Sequence, residues 1–312
     1  MVIPLKKMYS SRLYALVALL FLITCTSPSK RNKLTGEDEF SFVFMTDIHL
    51  QPERGAAIGF QWAIHEVNKR NPDFVLMGGD MLMDVLNQSY ERADSLYGLY
   101  MELIQKFRMP VYHTMGNHEV YGWQRMEEGI EQHPEFGKAM YEKRLGPRYY
   151  SFDHEGWHFI ILDAVYLRER GTYSGMIDEE QIAFIKRDLE KLDQHTPLAI
   201  SVHFPFISSA FQLSMGPTAK IPPGLLIQNS REVLALFADH NLKLVLQGHL
   251  HYLEDIYVQN RVHFITGGAV SGLWWNNSPD SEPEEGFLVV HVKGDEFSTE
   301  YVDFGWTPPE DI

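Results

Sequence analysis

Five short polar groups end apolar runs along this 312-residue chain. They are Asp47-Ile48-His49, Gly78-Gly79-Asp80, Gly116-Asn117-His118-Glu119, His203 and Gly248-His249-Leu250-His251. Together they offer carboxylates, an amide and several imidazoles, and no cysteine. Imidazole with carboxylate suits Zn, Mn, Fe or a related ion, and the lack of thiolate argues against a structural zinc site. The glycines before Asp80, Asn117 and His249 let the backbone turn sharply and pass close, so that the next side chain points into a crevice.

Each group alone has a plainer reading. Asp-x-His after a strand is commonly a hydrogen-bonded surface pair, and Gly-Asp is ordinary turn chemistry. His203, before Phe204-Pro205, reads by itself as a satisfied core histidine. Gly-His-x-His is stronger, because residues i and i+2 on a strand share a face. The joint occurrence at five run ends is what coincidence does not absorb.

The elements that must position these groups follow from pattern. Residues 40–47, 72–80 and 110–116 are apolar runs without strict alternation, which suits strands covered on both faces. Helical patterns over 57–70 and 90–107 separate them, so the chain opens in β-α-β-α order with a parallel sheet. Residues 123–148 look like an insertion carrying a helix, and 148–164 like a hairpin turning at Glu155-Gly156. The clearest helix is 178–192, with acids in its first turn and Ile182, Ile185 and Leu189 on one face. Strands are expected at 197–203, 242–248, 254–259 and 262–268, with two more at 286–293 and 297–303. Ligand sites in open parallel sheets gather beyond the carboxyl ends of strands. Five such ends in one sheet would share one crevice.

Composition bounds the partners. Lys plus Arg is 27 against 42 Asp plus Glu, for a formal charge of −15. That balance argues against nucleic acid, whose phosphates need clustered cations. It leaves a small phosphate ester open, since a metal ion reverses the local field.

Residues 1–24 read as a secretory signal. Lys6, Lys7 and Arg12 precede an apolar stretch from Leu13 to Thr24, too short for a membrane span. Leu22-Ile23-Thr24-Cys25 resembles the lipobox of bacterial lipoproteins, with Cys25 lipidated. Cys25 is the only cysteine, so no intramolecular disulfide forms, and a lipid anchor accounts for its presence. The expected location is the bacterial cell envelope, on the exported side, with a flexible tether over 25–39 and one domain over 40–305. The plainer alternative is an ordinary cleaved signal or an uncleaved anchor.

In order, D-x-H, G-D, G-N-H-E, H and G-H-x-H resemble the signature of the calcineurin-like metallophosphoesterases, from about Phe42 to His251. "ITGGAVSGLWW" (265–275) is similar to the extracytoplasmic branch related to purple acid phosphatases and cyclic-nucleotide phosphodiesterases. The resemblance implies a four-layer α-β-β-α sandwich with mixed sheets. It also implies two divalent or trivalent transition-metal ions (Mn, Fe or Zn). Asp47, His49, Asp80 and His251 match the ligands of the first. Asp80, Asn117, His203 and His249 match those of the second, with one Asp80 oxygen for each ion. A metal-bridging hydroxide would attack a small-molecule phosphomonoester or phosphodiester, and His118 would protonate the leaving group. Glu119 is expected to support the site rather than ligate.

There are departures. Purple acid phosphatases place a metal-binding Tyr shortly after Gly-Asp, where this chain has Met81, Leu82 and Met83, so no ferric–tyrosinate chromophore is expected. Several relatives orient the catalytic histidine with an Asp three residues past the bridge. Here that position is Met83, and Asp84 comes one residue late, which leaves the orientation of His118 open. Tyr121, Trp123, Trp274 and Trp275 read as packing or as an aromatic wall, packing being the simpler account. Arg54 reads as a solvated loop charge in preference to a phosphate contact. The competing function is a non-catalytic surface protein that keeps the fold as a binding scaffold.

Overall fold

The computed structural model describes residues 39–276 and 284–306. The expected signal, most of the tether and Cys25 lie outside the described residues. Among the described residues, no helix is long and apolar enough to cross a membrane.

The first three strands are β1 (Glu39–Met45), β2 (Phe74–Met77) and β3 (Val111–His113). They run parallel in the order β1-β2-β3. Helices α1 (Ala56–Arg70) and α2 (Tyr90–Ile104) make the crossovers. Ser89 starts α2 by accepting a hydrogen bond from the Arg92 N–H, and Asn71 ends α1 in the left-handed region. The hairpin is present as β4 (Tyr150–His154) and β5 (Trp157–Leu162). Its turn residues Glu155 and Gly156 both have positive φ, which matches the strand twist.

A second hairpin follows that the pattern did not announce, β6 (Val165–Leu167) with β7 (Tyr173–Gly175). Three-residue strands are too short to show a period. Within the insertion, α3 spans Ala139–Leu145. The strong helix α4 covers Glu179–Leu189, with Asp178 accepting from the Gln181 N–H at 2.9 Å. Then come β8 (Leu198–Val202), short helices α5 (Ala210–Met215) and α6 (Ser230–Ala235), and β9 (Leu242–Gln247). The rest are β10 (Leu253–Val258), β11 (Val262–Gly267), β12 (Phe287–Lys293) and β13 (Glu296–Val302).

The strands form two large sheets, as the resemblance implied, where the pattern of apolar runs taken alone pointed to one. One has the order β13-β12-β1-β2-β3 and the other β10-β11-β9-β8-β5-β4. Both are mixed: β12 joins β1 antiparallel, while β5, β8, β9 and β11 run parallel to one another with β4 and β10 antiparallel at the edges. Alternation along each strand explains why they stack. Phe42, Phe44, Phe74 and Leu76 meet Trp157, Phe159, Ile161, Leu244 and Leu246 in a core between the sheets. Val43, Met45, Val75 and Met77 face the other way, with Phe60, Ile64, Leu96 and Tyr100 of the helices in the main core. Ile160, Ile200 and Val245 meet Ile185, Leu189 and Phe237 on the far side. Helix, sheet, sheet and helix layers result. The central strands β1, β2, β8 and β9 are covered on both faces, which is why their runs do not alternate in polarity.

Candidate metal centre

The polar groups lie at the carboxyl ends of β1, β2 and β3 in one sheet and of β8 and β9 in the other. Backbone pairing continues past the strands: the Asp47 N–H donates to Gly79 O and the His49 N–H to Asp80 O, both at 3.0 Å. From the second sheet the His249 N–H donates to both Asp47 oxygens, at 3.1 and 3.0 Å.

The sharp turns fall on the candidate ligands themselves. Asp47, His49, Asp80, His249 and His251 all have φ between 47° and 72°. Non-glycine residues visit this region at a cost of about 1–3 kcal/mol each, and such outliers gather at functional sites. The preceding glycines serve another need. A Cβ at Gly248 would stand 2.1 Å from Thr46 Oγ1 and 2.7 Å from Asp47 Oδ2. One at Gly116 would stand 2.2 Å from the Asp80 N. Close approach, more than turning, is what requires glycine there.

The side chains gather as Asp47 with His49 and His251, and Asp80 with His203 and His249. His49, Asp80 and His118 form a linking group, and within each group the ligand atoms lie within 4.8 Å of one another. The Nε2 atoms of His49 and His251 are 2.9 Å apart. Asp47 Oδ1 lies 3.3 Å from the latter and 3.8 Å from the former. His203 Nε2 is 3.0 Å from Asp80 Oδ2. Asp80 Oδ1 accepts the His118 N–H at 2.9 Å, which leaves Oδ2 facing the imidazoles.

Three histidines have one ring nitrogen committed. A carbonyl can only accept, so His203 Nδ1 donates to Gly78 O, His251 Nδ1 to Gly272 O and His249 Nε2 to Gly224 O. Their other nitrogens are left for a cation. Asn117 Nδ2 donates to Tyr173 Oη at 3.2 Å, and Asn117 Oδ1 is buried without a hydrogen-bond partner. Buried polar atoms are seldom left so. The donor set and this orphaned atom fit hard-to-borderline cations.

Electrostatics agrees with that reading. Burial opposes charge on Asp80, but His203 and His118 outweigh it and hold the carboxyl well below its usual range. Burial would also lower His203, yet Asp80 raises it to about 9. His249, buried and beside His203, falls to about 4. Burial and the His118 ring hold His49 well below the ordinary imidazole value. Neutral His49 and His249 are therefore free to ligate, and a cation would displace the proton from His203.

His118 stands apart. Its side chain is 23 % exposed, against 1 %, 0 % and 9 % for His49, His203 and His251. Its Nδ1 donates to the Met83 carbonyl, while Nε2 lies 3.8 Å from Asp80 Oδ2. This answers what orients the ring. Asp84 is spent elsewhere, accepting the Leu86 N–H at 2.7 Å. Glu119 is fully buried and accepts the N–H groups of Gly116, Asp80 and Leu82 at 2.8, 3.0 and 3.1 Å. It binds the Gly-Asp and Gly-Asn turns to each other. Burial and the Asp80 charge push its carboxyl up to about 7, against the pull of those N–H donors.

Tyr173 is the residue that pattern reading missed. It reaches Asn117 from the β6–β7 hairpin, held by the Trp123 Nε1–H to Thr172 O and the Gly175 N–H to Pro223 O. Burial, with the charges of Asp80 and Asp84, raises its phenol to about 12. Tyr121 and Trp275 are buried packing, and Trp123 leans on Phe136 with its ring near Arg170. Arg54 donates to the Trp274 carbonyl.

Comparison with known proteins agrees with this geometry. A mouse protein, manganese-dependent ADP-ribose/CDP-alcohol diphosphatase, is 29 % identical over 161 residues. That stretch is 46 % of this chain and 43 % of the mouse protein, so this chain spans less than half of that relative. A probable cyclic nucleotide phosphodiesterase of Synechococcus is 24 % identical over 71 % of this chain and 76 % of its own. A dimetal phosphatase from Danio rerio superposes with a TM-score of 0.61 at 16 % identity, covering 85 % of this chain and 96 % of that one. At such identity the likeness is one of fold. Residues 40–253 match the calcineurin-like phosphoesterases, and the chain belongs to that family.

Proposed function

We propose that the protein hydrolyses small-molecule phosphate esters, monoester or diester, with two metal ions. One observation carries this: two three-residue ligand groups, Asp47/His49/His251 and Asp80/His203/His249, joined through the group that contains His118. Asn117 adds its orphaned Oδ1 to the second. When bound, the ions would neutralise phosphoryl oxygens and supply an acidified water as nucleophile. The names of the mouse and Synechococcus relatives, a diphosphatase and a cyclic nucleotide phosphodiesterase, support a small phosphate substrate.

The chain's own part in proton transfer falls to His118. With Nδ1–H given to Met83, the transferable proton sits on Nε2, the nitrogen turned toward Asp80 Oδ2. The ring donates as imidazolium. A carbonyl fixes its orientation without adding negative charge. Such an acid typically contributes about 10²–10⁴ in rate. The buried backbone turns hold the ligands so that little reorganisation is needed on binding.

A panel of nitrophenyl phosphate, bis-nitrophenyl phosphate and cyclic nucleotides with Mn, Fe or Zn tests the reading. Absence of hydrolysis with every metal would refute it, and a protein that takes up no ion would be the scaffold. His118→Ala should retain metal and slow poor leaving groups more than nitrophenolate. Export and anchoring through Cys25 to a bacterial envelope belong to the same proposal. Cys25→Ser should move the protein from the membrane fraction to the soluble one.

A further inference from the structure

The two adjacent tryptophans after the Gly-rich stretch have parted company. Trp275 is 3 % exposed, its Nε1–H donating to Ile48 O and its ring filling the space a Gly59 side chain would need. Trp274 is 38 % exposed. Its ring centroid lies 4.9 Å from that of His251, tilted at 53°, and 6.0 Å from that of His49, at 64°. His49 in turn lies 4.7 Å from His118. The indole thus borders the first ligand group, whose His49 ring also neighbours the proton donor. Tyr173, His203 and His249 belong to the other group.

An exposed tryptophan is ordinary in itself. This one sits on unusual backbone: φ is 53° at Trp274 and 60° at Trp275. A bulky residue in the left-handed region is an outlier. The turn is pinned by the Trp275 N–H to Ser271 O at 2.8 Å and by Arg54 to the Trp274 carbonyl at 3.1 Å. Ser271 also donates to Asp47 O at 2.8 Å, which ties the same turn to a ligating residue. Burial of Trp275 accounts for one of the two side chains. The exposed ring of Trp274 gains no such burial, and it stands beside the reacting centre.

We propose that Trp274 is a stacking platform for a planar ring on the leaving group, so that the preferred substrates are phosphate esters of a nucleoside or another aromatic alcohol. The proposal rests on the phosphoesterase reading above and sharpens its substrate class. His49 neighbours both His118 and Trp274, so a leaving group whose oxygen is within reach of His118 Nε2 can extend past His49 to the indole. Stacking of a base on an aromatic side chain is sequence-tolerant and worth about 5- to 150-fold in affinity.

AMP and ribose 5-phosphate differ only in the base, and their affinities for the Mn2+-loaded protein test this. Wild type should prefer AMP by at least about 5-fold. Trp274→Ala should bring the ratio of the two affinities to within about 2-fold, and Trp274→Phe, which keeps a ring, should retain most of the preference. AMP should quench tryptophan fluorescence in wild type, and Trp274→Phe should abolish that quench while keeping the ratio. Equal affinities in wild type, or a preference that survives in Trp274→Ala, would overturn the proposal while phosphate binding stands. If AMP, ribose 5-phosphate and inorganic phosphate all fail to bind, the phosphoesterase reading falls, and this proposal with it.

Discussion

Adding one methyl group at Gly116 should disable the metal centre while leaving the fold standing. The backbone there has φ −102° and ψ 179°, which alanine adopts freely, so the effect is steric alone. The new Cβ would lie 2.2 Å from the Asp80 N, 2.3 Å from Asp80 Oδ1 and 2.9 Å from Glu119 Oε2. Ordinary contact begins at 3.4 Å, so the Asp80 backbone must retreat by more than about 1 Å. It cannot do so cheaply. Its N–H is held by Glu119 and its carbonyl by the His49 N–H. Overpacking of this kind costs about 1–3 kcal/mol, a loss that a domain of this size should survive. The ligand groups joined through Asp80 would lose far more, since a displacement near 1 Å can cost about 10²-fold in rate.

The assay is urea unfolding of chelator-treated protein followed by Mn2+ titration. Gly116→Ala should unfold at a lower midpoint with unchanged slope, and bind Mn2+ at least about tenfold more weakly. Gly98→Ala is the control. It lies in α2 with nothing within 4 Å of its would-be Cβ, and should gain about 0.5–1 kcal/mol. A Gly116→Ala protein with wild-type Mn2+ affinity would refute the idea that the Gly-Asn turn fixes Asp80.

Other expectations follow from single contacts. Tyr173→Phe removes the hydroxyl that accepts from Asn117 Nδ2; it should weaken one of two Mn2+ binding steps by about 10–100-fold and spare the other. His113, on β3, has a buried Nε2 without a partner, and burial lowers its pKa from 6.5 to about 4. The folded state then takes up that proton less readily than the unfolded chain. The stability at stake is present above pH 6.5 and is lost as pH falls toward 4, to a total of about 3 kcal/mol. Chemical denaturation at pH 7 and pH 5 should show wild type losing about 2 kcal/mol more than His113→Phe. Equal losses would place the acid sensitivity elsewhere.

The candidate ligands that the fold brings together were legible because they combine two signals, an apolar run and a chemically competent end. Neither signal says which sheet a strand joins. The runs ending at Asp47 and Asp80 look like those ending at His203 and His249, since all four are covered on both faces. The division into two sheets came from long-range pairing that no local window contains. The support for His118 was illegible for another reason. It is the carbonyl of Met83, and a backbone oxygen leaves no trace in residue type. Looking for a carboxylate near Asp84 was therefore looking in the right turn for the wrong atom. Tyr173 was hidden by a strand of three residues, too few for any period to show.

The two-sheet origin of the ligands has a consequence in time. The His249 N–H reaches Asp47 across 202 residues of chain, and His49 meets His251 across the same span. Contacts so distant along the sequence close late, because the loop between their ends must be ordered first. A chain stopped short of β9 carries Asp47, His49, Asp80, Asn117 and His203 but lacks His249 and His251, so neither three-residue group is complete. The centre therefore serves as a completion mark: tight cation uptake should appear only once the second sheet has docked. Following Mn2+ uptake during refolding would then report the last large step of assembly, after the strands themselves have formed.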